Sequence, residues 1–159
     1  MKGQERLVSV DPGLVTGVTL MDRSADTVKV TLSAELGESE VAPWLRMCLS
    51  DWESLEEQGI IFSVVCESFF ITAQTAKNSQ APWSLEMIGV LKQVCRDLNY
   101  PLDLIYWQKP SAAKTMIDNA KLRRLELWHR GGAGHANDAI RHGVLCLINR
   151  GWRDSRFLA

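Results

Sequence analysis

Asp11, Glu67, His135 and Asp138 are the side chains whose types and spacing could do chemistry together in this sequence. Asp11 interrupts the apolar run of "LVSVDPGLVTG", residues 7–17, and Pro12 and Gly13 follow it at once. Glu67 closes the run "IIFSVVCE", residues 60–67. A buried, ionised carboxylate costs several kcal/mol unless something pairs with it. His135 and Asp138 open "HANDAIRHG" three residues apart, the spacing at which helical side chains share a face. At about 100° per residue, His135, Asp138 and His142 fall on one polar stripe, and Ala136, Ile140, Val144 and Leu147 on an apolar one. Three carboxylates and an imidazole in one place repel and desolvate one another, and a divalent cation resolves that conflict. Carboxylate oxygens suit Mg²⁺ or Mn²⁺, and an imidazole tilts the choice toward Mn²⁺. Two such ions about 3.5–4 Å apart can activate a water and stabilise the leaving oxygen of a phosphodiester. Each piece alone has a plainer reading: a turn for D-P-G, a surface or capping pair for H-x-x-D, a lysine partner for Glu67. Their order, on strand, strand and helix, favours a site.

The elements that must position these residues can be read from periodicity. "RLVSVDPG" reads as a strand ended by Pro12–Gly13, "TGVTLMD" as a second and "DTVKVTLSAEL" as a third, an antiparallel meander turned at "DRSAD". "SEVAPWLRMCLSDWESLEEQG" reads as one helix, capped at or near Ser39 and stopped by Gly59. "IIFSVVCE" is apolar and rich in β-branched residues, as suits a central strand covered on both faces. A long helix is expected from about Pro82, with Leu85, Ile88, Leu91, Val94 or Cys95, and Leu98 at helical spacing, and "PLDLIYW" as the fifth strand. "KPSAAKTMIDNAKLRRLELWHR" gives one or two short helices, "GGAG" at 131–134 a flexible joint, and "HANDAIRHGVLCLINRG" the last helix, closed by Gly151.

The 159 residues suit a single domain with its own core, and 46% hydrophobic with 23% charged content suits a soluble protein. No apolar run reaches membrane-span length, and the first residues carry no signal-peptide core. Cys48, Cys66, Cys95 and Cys146 sit among apolar residues with no CxxC-type pair, which points to buried reduced thiols and a cytoplasmic setting. The net charge of −1 hides an asymmetry: residues 1–88 carry 6 Lys and Arg against 13 Asp and Glu, and residues 89–159 carry 12 against 6. A basic face in the second half is one reading, and an ordinary charged helix surface the other.

The pattern resembles the RuvC-type Holliday junction resolvases of the RNase H-like superfamily. Their first strand carries D-P-G followed by T-G, as in "DPGLVTG"; their second acid ends the fourth strand with an aromatic three residues on, as Phe70 follows Glu67 in "ESFF". Their last helix opens with two metal-binding side chains three apart, as in "HAND", and "AAKTMI" is similar to their lysine-bearing helix start. The resemblance spans about residues 7 to 150. It implies an α/β fold, a mixed five-stranded sheet of three antiparallel and then parallel strands flanked by helices, filling residues 1–159 as one nuclease domain. It implies Asp11, Glu67, His135 and Asp138 as ligands of two Mg²⁺ or Mn²⁺ ions, and Lys114 at the scissile phosphate or the attacking water. Phe70 becomes the residue that stacks on junction bases, and Phe69 a core residue. The glycine-bearing loop that the family has before its lysine helix is missing from "WQKPSAAK", where Lys109 would stand in. The implied protein is a homodimer joined through the helix after Pro82, acting on four-way junctions and also forks and flaps, in the cytoplasm of a bacterial cell or phage-infected host.

Arg123, Arg124 and Arg130 are candidate phosphate contacts. Glu86 and His142 read more simply as helix residues outside the centre, and most of the six tryptophans as packing. Competing functions are a nuclease for forks, flaps or RNA, a nucleotide-binding module of the actin-like kind, and a non-catalytic nucleic-acid binder. Actin-like folds are normally much longer, and the full set of acids argues against a lapsed site.

Overall fold

A computed structural model of the protein describes residues 3–25, 27–72, 77, 81–154 and 156. Five strands form one sheet: β1 (Glu5–Asp11), β2 (Thr16–Ser24), β3 (Thr27–Leu36), β4 (Ile61–Glu67) and β5 (Ile105–Gln108). Their order is β3-β2-β1-β4-β5. The β1–β2 and β2–β3 pairs are antiparallel, while β4 lies parallel to β1 and β5 parallel to β4. The helices are α1 (Glu38–Leu49), α2 (Trp52–Glu57), α3 (Ala81–Asp97), α4 (Pro110–Met116), α5 (Asn119–Arg124) and α6 (His135–Asn149). A sheet with the mixed order expected from the sequence is thus in place.

Alternation along β1 builds a core on each face. Val8 and Val10 join residues of α1, α2 and α3 in one, and Leu7 joins α4, α5 and α6 in the other. Both faces being covered, β1 and β4 read as near-continuous apolar runs. The helix α6 is buried along most of its length, and Ala136, Ile140, Val144 and Leu147 are fully enclosed, as their shared stripe suggests. On the α6 face, the buried Ser9 hydroxyl donates to the Ala139 carbonyl at 2.7 Å and ties β1 to α6.

Four expectations about elements are corrected. The helix over residues 39–59 is two helices, broken at Ser50–Asp51, residues whose side chains favour caps and turns over helix interiors. The cap of α1 is Gly37, not Ser39: Glu40 reaches back to accept the Gly37 amide at 2.8 Å, half of a capping box. The segment "PLDL" enters a short 3₁₀ turn, Leu102–Leu104, so β5 begins only at Ile105. In α3, Leu91, Val94, Cys95 and Ile88 face the core, but Leu85 is exposed. Met87 is buried with them in the core against α1 and the sheet. "DNAKLRR" and its upstream neighbour do form two short helices, α4 and α5.

The joint at 131–134 is held, not loose. Glu35 on β3 accepts the amides of Ala133 and Gly134 at 2.7 Å each, and that of Ala136 at 3.4 Å. A carboxylate therefore caps the positive end of α6 from across the sheet. Gly134, the residue before α6, has φ +107°, which a side chain disfavours.

Candidate metal centre

Asp11 stands at the last position of β1 and Glu67 at the last of β4, and the two strands are parallel neighbours. Their carboxylates therefore emerge at the same end of the sheet. The head of α6 is brought to that end by β2. At Gly17, opposite Asp11 in the β1–β2 ladder, an added Cβ would lie 1.9 Å from the His135 carbonyl oxygen. Only a residue without a side chain lets the helix come this close, which gives the T-G of "DPGLVTG" a physical reason. The turn between the strands is closed by the Thr16 hydroxyl, which donates to the Gly13 carbonyl at 3.1 Å. From the other side, Ser84 on α3 donates to the Pro12 carbonyl at 3.0 Å.

His135 Nδ1 lies 3.2 Å from Asp11 Oδ2. One ligand atom from each of Asp11, His135 and Asp138 falls within 4.8 Å of the others, and so does one from each of Asp11, Glu67 and His142. Asp11 belongs to both groups. Its burial pushes its carboxyl above the ordinary range, the His135 bond pulls it down, and the Glu67 and Asp138 charges push it up again. His135 in turn is raised by its bond to Asp11, against the desolvation that would lower it. Carboxylate oxygens with imidazole nitrogens, gathered around a buried acid, form a donor set that fits Mg²⁺ or Mn²⁺.

Asp138 is also the junction of two cations. Lys114 Nζ lies 2.8 Å from its Oδ2, and Arg141 donates to its Oδ1 at 2.5 Å. The bond to Asp138 raises the Lys114 ammonium above its ordinary value, so it stays charged. Arg141 is buried, and it also donates to the Ile117 carbonyl at 2.9 Å and to Asn119 Oδ1, tying α6 to α4 and α5.

Each residue singled out from the sequence has a place. Asp11, Glu67, His135, Asp138 and Lys114 gather at the strand ends. Phe70, 64% exposed, lies beyond β4 on the segment that leaves Glu67, and Phe69 packs against the core. A cavity of about 750 Å³ opens beside Asp138, lined by Lys114, Trp128, Gly132, Asn137 and Arg141 among others. Arg123, with its guanidinium 4.4 Å from the Trp128 ring centre, and Arg130 line the neighbouring cavity. Lys109 is exposed at the head of α4, and Arg124 is exposed on α5. Glu86 is exposed on α3.

Sequence reasoning undervalued His142 and missed Gln108 and Arg141. The shared stripe marked His142, but not how α6 lies on the sheet: its head meets Asp11, and two turns on it meets Glu67. His142 is fully buried, with Nε2 2.9 Å from Glu67 Oε2 and Nδ1 2.9 Å from Gln108 Oε1. Gln108 faces Glu67 in the β4–β5 register, so a polar residue ending the fifth strand was the available signal.

No protein-family model matches the sequence, and no curated protein matches it. Solved structures do. Thermus thermophilus RuvC matches with a TM-score of 0.64 at 13% identity, over 92% of this chain and 97% of that one. T. thermophilus RuvC in complex with a Holliday junction substrate matches with a TM-score of 0.62 at 13% identity, over 92% and 96%. The mixed five-stranded sheet, three antiparallel strands followed by parallel ones and flanked by helices, gives this chain the RuvC, RNase H-like fold.

Proposed function

We propose that this chain, as one nuclease domain spanning residues 1–159, is a metal-dependent endonuclease that hydrolyses phosphodiesters at four-way and other branched DNA junctions. The observation that carries the reading is the convergence of Asp11, Glu67, His135 and Asp138 at one end of a RuvC-like sheet, with Lys114 seated on Asp138. The T. thermophilus structure with a Holliday junction adds a fold neighbour that engages this kind of substrate.

Asp11, Glu67, His135 and Asp138 would hold two divalent ions, with the Asp11 carboxylate common to both groups of donors. When bound, the ions supply the positive charge that lets the acids stand together and the Lewis acidity that phosphodiester hydrolysis needs. The remaining work falls to the chain. Lys114, kept cationic by Asp138, is placed to touch the scissile phosphate or support the attacking water. Arg141 fixes the Asp138 carboxylate so that it does not turn away from the centre. Phe70 would stack on bases at a branch point, where pairing is already incomplete. Lys109, Arg123 and Arg124 would contact the DNA backbone. Two copies in a homodimer would cut opposing strands.

Cleavage of end-labelled four-way junctions, forks, flaps and plain duplex, each with Mg²⁺, Mn²⁺ or EDTA, tests this. Metal-dependent cutting of the four-way junction in preference to duplex is expected. Equal cutting of all substrates, or cutting of RNA instead, would replace the proposal with a broader nuclease. No cutting with either metal would overturn it.

A further inference from the structure

We propose that His142 is itself a metal ligand: its Nε2 binds the divalent cation that Asp11 and Glu67 hold, deeper in the sheet than the His135 side of the centre. This rests on the nuclease reading above and adds a nitrogen donor to it.

Gln108 fixes the state of the ring. Gln108 Nε2 lies 3.1 Å from the His142 main-chain carbonyl, an atom that can only accept. The amide nitrogen must therefore face that carbonyl, and the amide oxygen must face the ring, 2.9 Å from Nδ1. An amide oxygen also only accepts, so Nδ1 carries the ring proton. Turning the amide over would set oxygen against oxygen. The tautomer is thus fixed by the fold, and Nε2 is left to present a lone pair.

That lone pair faces Glu67 Oε2 at 2.9 Å. A lone pair and a carboxylate oxygen cannot bond to each other; something positive must lie between or beside them. Asp11 closes the triangle, with one donor atom of each residue within 4.8 Å of the others. At 2.9 Å this nitrogen and this oxygen are close enough that both would serve one small divalent cation. A metal-bound imidazole also needs a partner for its other N–H to set ring orientation, and Gln108 Oε1 is that partner. The ring is fully buried, so bulk water does not serve Nε2. The competing occupant of the gap is a proton shared between the ring and Glu67.

Pulsed electron paramagnetic resonance on Mn²⁺ bound to the full chain separates the two. The sequence has three histidines. His129 is held through Nδ1 by the Ser33 hydroxyl at 2.7 Å. The double variant His129→Gln, His135→Asp leaves His142 as the last imidazole and keeps an oxygen ligand at 135. Nitrogen hyperfine coupling to Mn²⁺ in that variant, abolished by labelling histidine with ¹⁵N in favour of the ¹⁵N pattern, is the expected result. Bound Mn²⁺ without imidazole coupling there, in a wild-type protein that binds Mn²⁺ and cleaves junctions, overturns the His142 assignment and leaves the nuclease reading standing. A wild-type protein that binds no Mn²⁺ overturns both. As a second reading, His142→Gln should weaken Mn²⁺ binding in calorimetry by more than the about 10–100-fold that loss of an outer-shell partner costs, with its circular dichroism unchanged, and unaltered affinity contradicts the proposal. Should that variant fail to fold, the hyperfine measurement decides.

Discussion

At the scale of single residues, the distinction that matters is between groups that would bind metal and groups that would choose the substrate. On the proposed function, Phe70 would belong to the second kind. It lies three residues past Glu67 on the exposed segment after β4, while its neighbour Phe69 is spent on the core. Aromatic stacking on a base is worth about 1–3 kcal/mol, so Phe70→Ala should slow four-way-junction cleavage by roughly ten- to a hundredfold. Cleavage of flaps should fall much less, because the acids are untouched, and circular dichroism should be unchanged. Equal losses on both substrates would make Phe70 a packing residue. The acids themselves were legible in the sequence because each interrupts or closes an apolar run, or opens a helix, where an unpaired charge needs explaining. Arg141 was not, since nothing local distinguishes it from a surface arginine, and for Gln108 the polar end of the fifth strand was the one local signal. Their meaning comes from Asn119, Ile117 and Glu67, residues that only packing brings near.

At the scale of elements, the centre depends on where the head of α6 is set. Gly17 and Glu35 set it from β2 and β3. Gly17→Ala would drive a methyl into the His135 backbone, where no flexible side chain can yield. Overpacking of this kind costs about 1–3 kcal/mol, so the melting temperature should drop by several degrees. Cleavage should fall further than stability explains, because His135 and Asp138 move with the helix. Wild-type cleavage by the alanine variant would contradict this. Glu35 acts through charge. Desolvation would raise its carboxyl, but the amides of Ala133, Gly134 and Ala136 hold it below its ordinary value of 4.5. A carboxyl lowered in the folded state stabilises the fold fully above its unfolded value, and that contribution is lost as pH falls through the folded one. Glu35→Gln should therefore cost about 1 kcal/mol at neutral pH, the scale of a helix cap. The gap to wild type in thermal melts should close below about pH 4.5, and a gap independent of pH would show that charge is not involved. The three-strand meander, the apolar run of β4 and α6 were readable from period and run length, whereas the mixed sheet order was implied by the resemblance. The break at Ser50–Asp51 and the 3₁₀ turn before β5 were not, because continuous apolar spacing across both masked the change of backbone.

At the scale of the whole molecule, the homodimer expected through the helix after Pro82 can draw on few apolar residues of α3. Met87 and Val94 are consumed in the chain's own core. Outward apolar residues in this region include Leu85 on α3 and Tyr106 and Trp107 on the edge strand β5, where Lys92 of α3 lies 5.3 Å from the Trp107 ring centre. An exposed edge strand carrying aromatics is a surface that proteins usually cover. Sedimentation at micromolar concentration should show a dimer, and a monomer that still resolves junctions would refute it. Everything else rests on the claim that the gathered acids serve metal-dependent cleavage of branched DNA. The most direct measurement follows both labelled strands of a four-way junction with Mn²⁺, with EDTA, and with Asp11→Asn in Mn²⁺. Cuts on opposing strands are expected with Mn²⁺ alone, and a loss of about a hundredfold or more in the variant, the scale of removing one electrostatic partner from an active site, while junction binding persists. Cleavage that survives EDTA, or an Asp11→Asn protein that cuts at the wild-type rate, would contradict it.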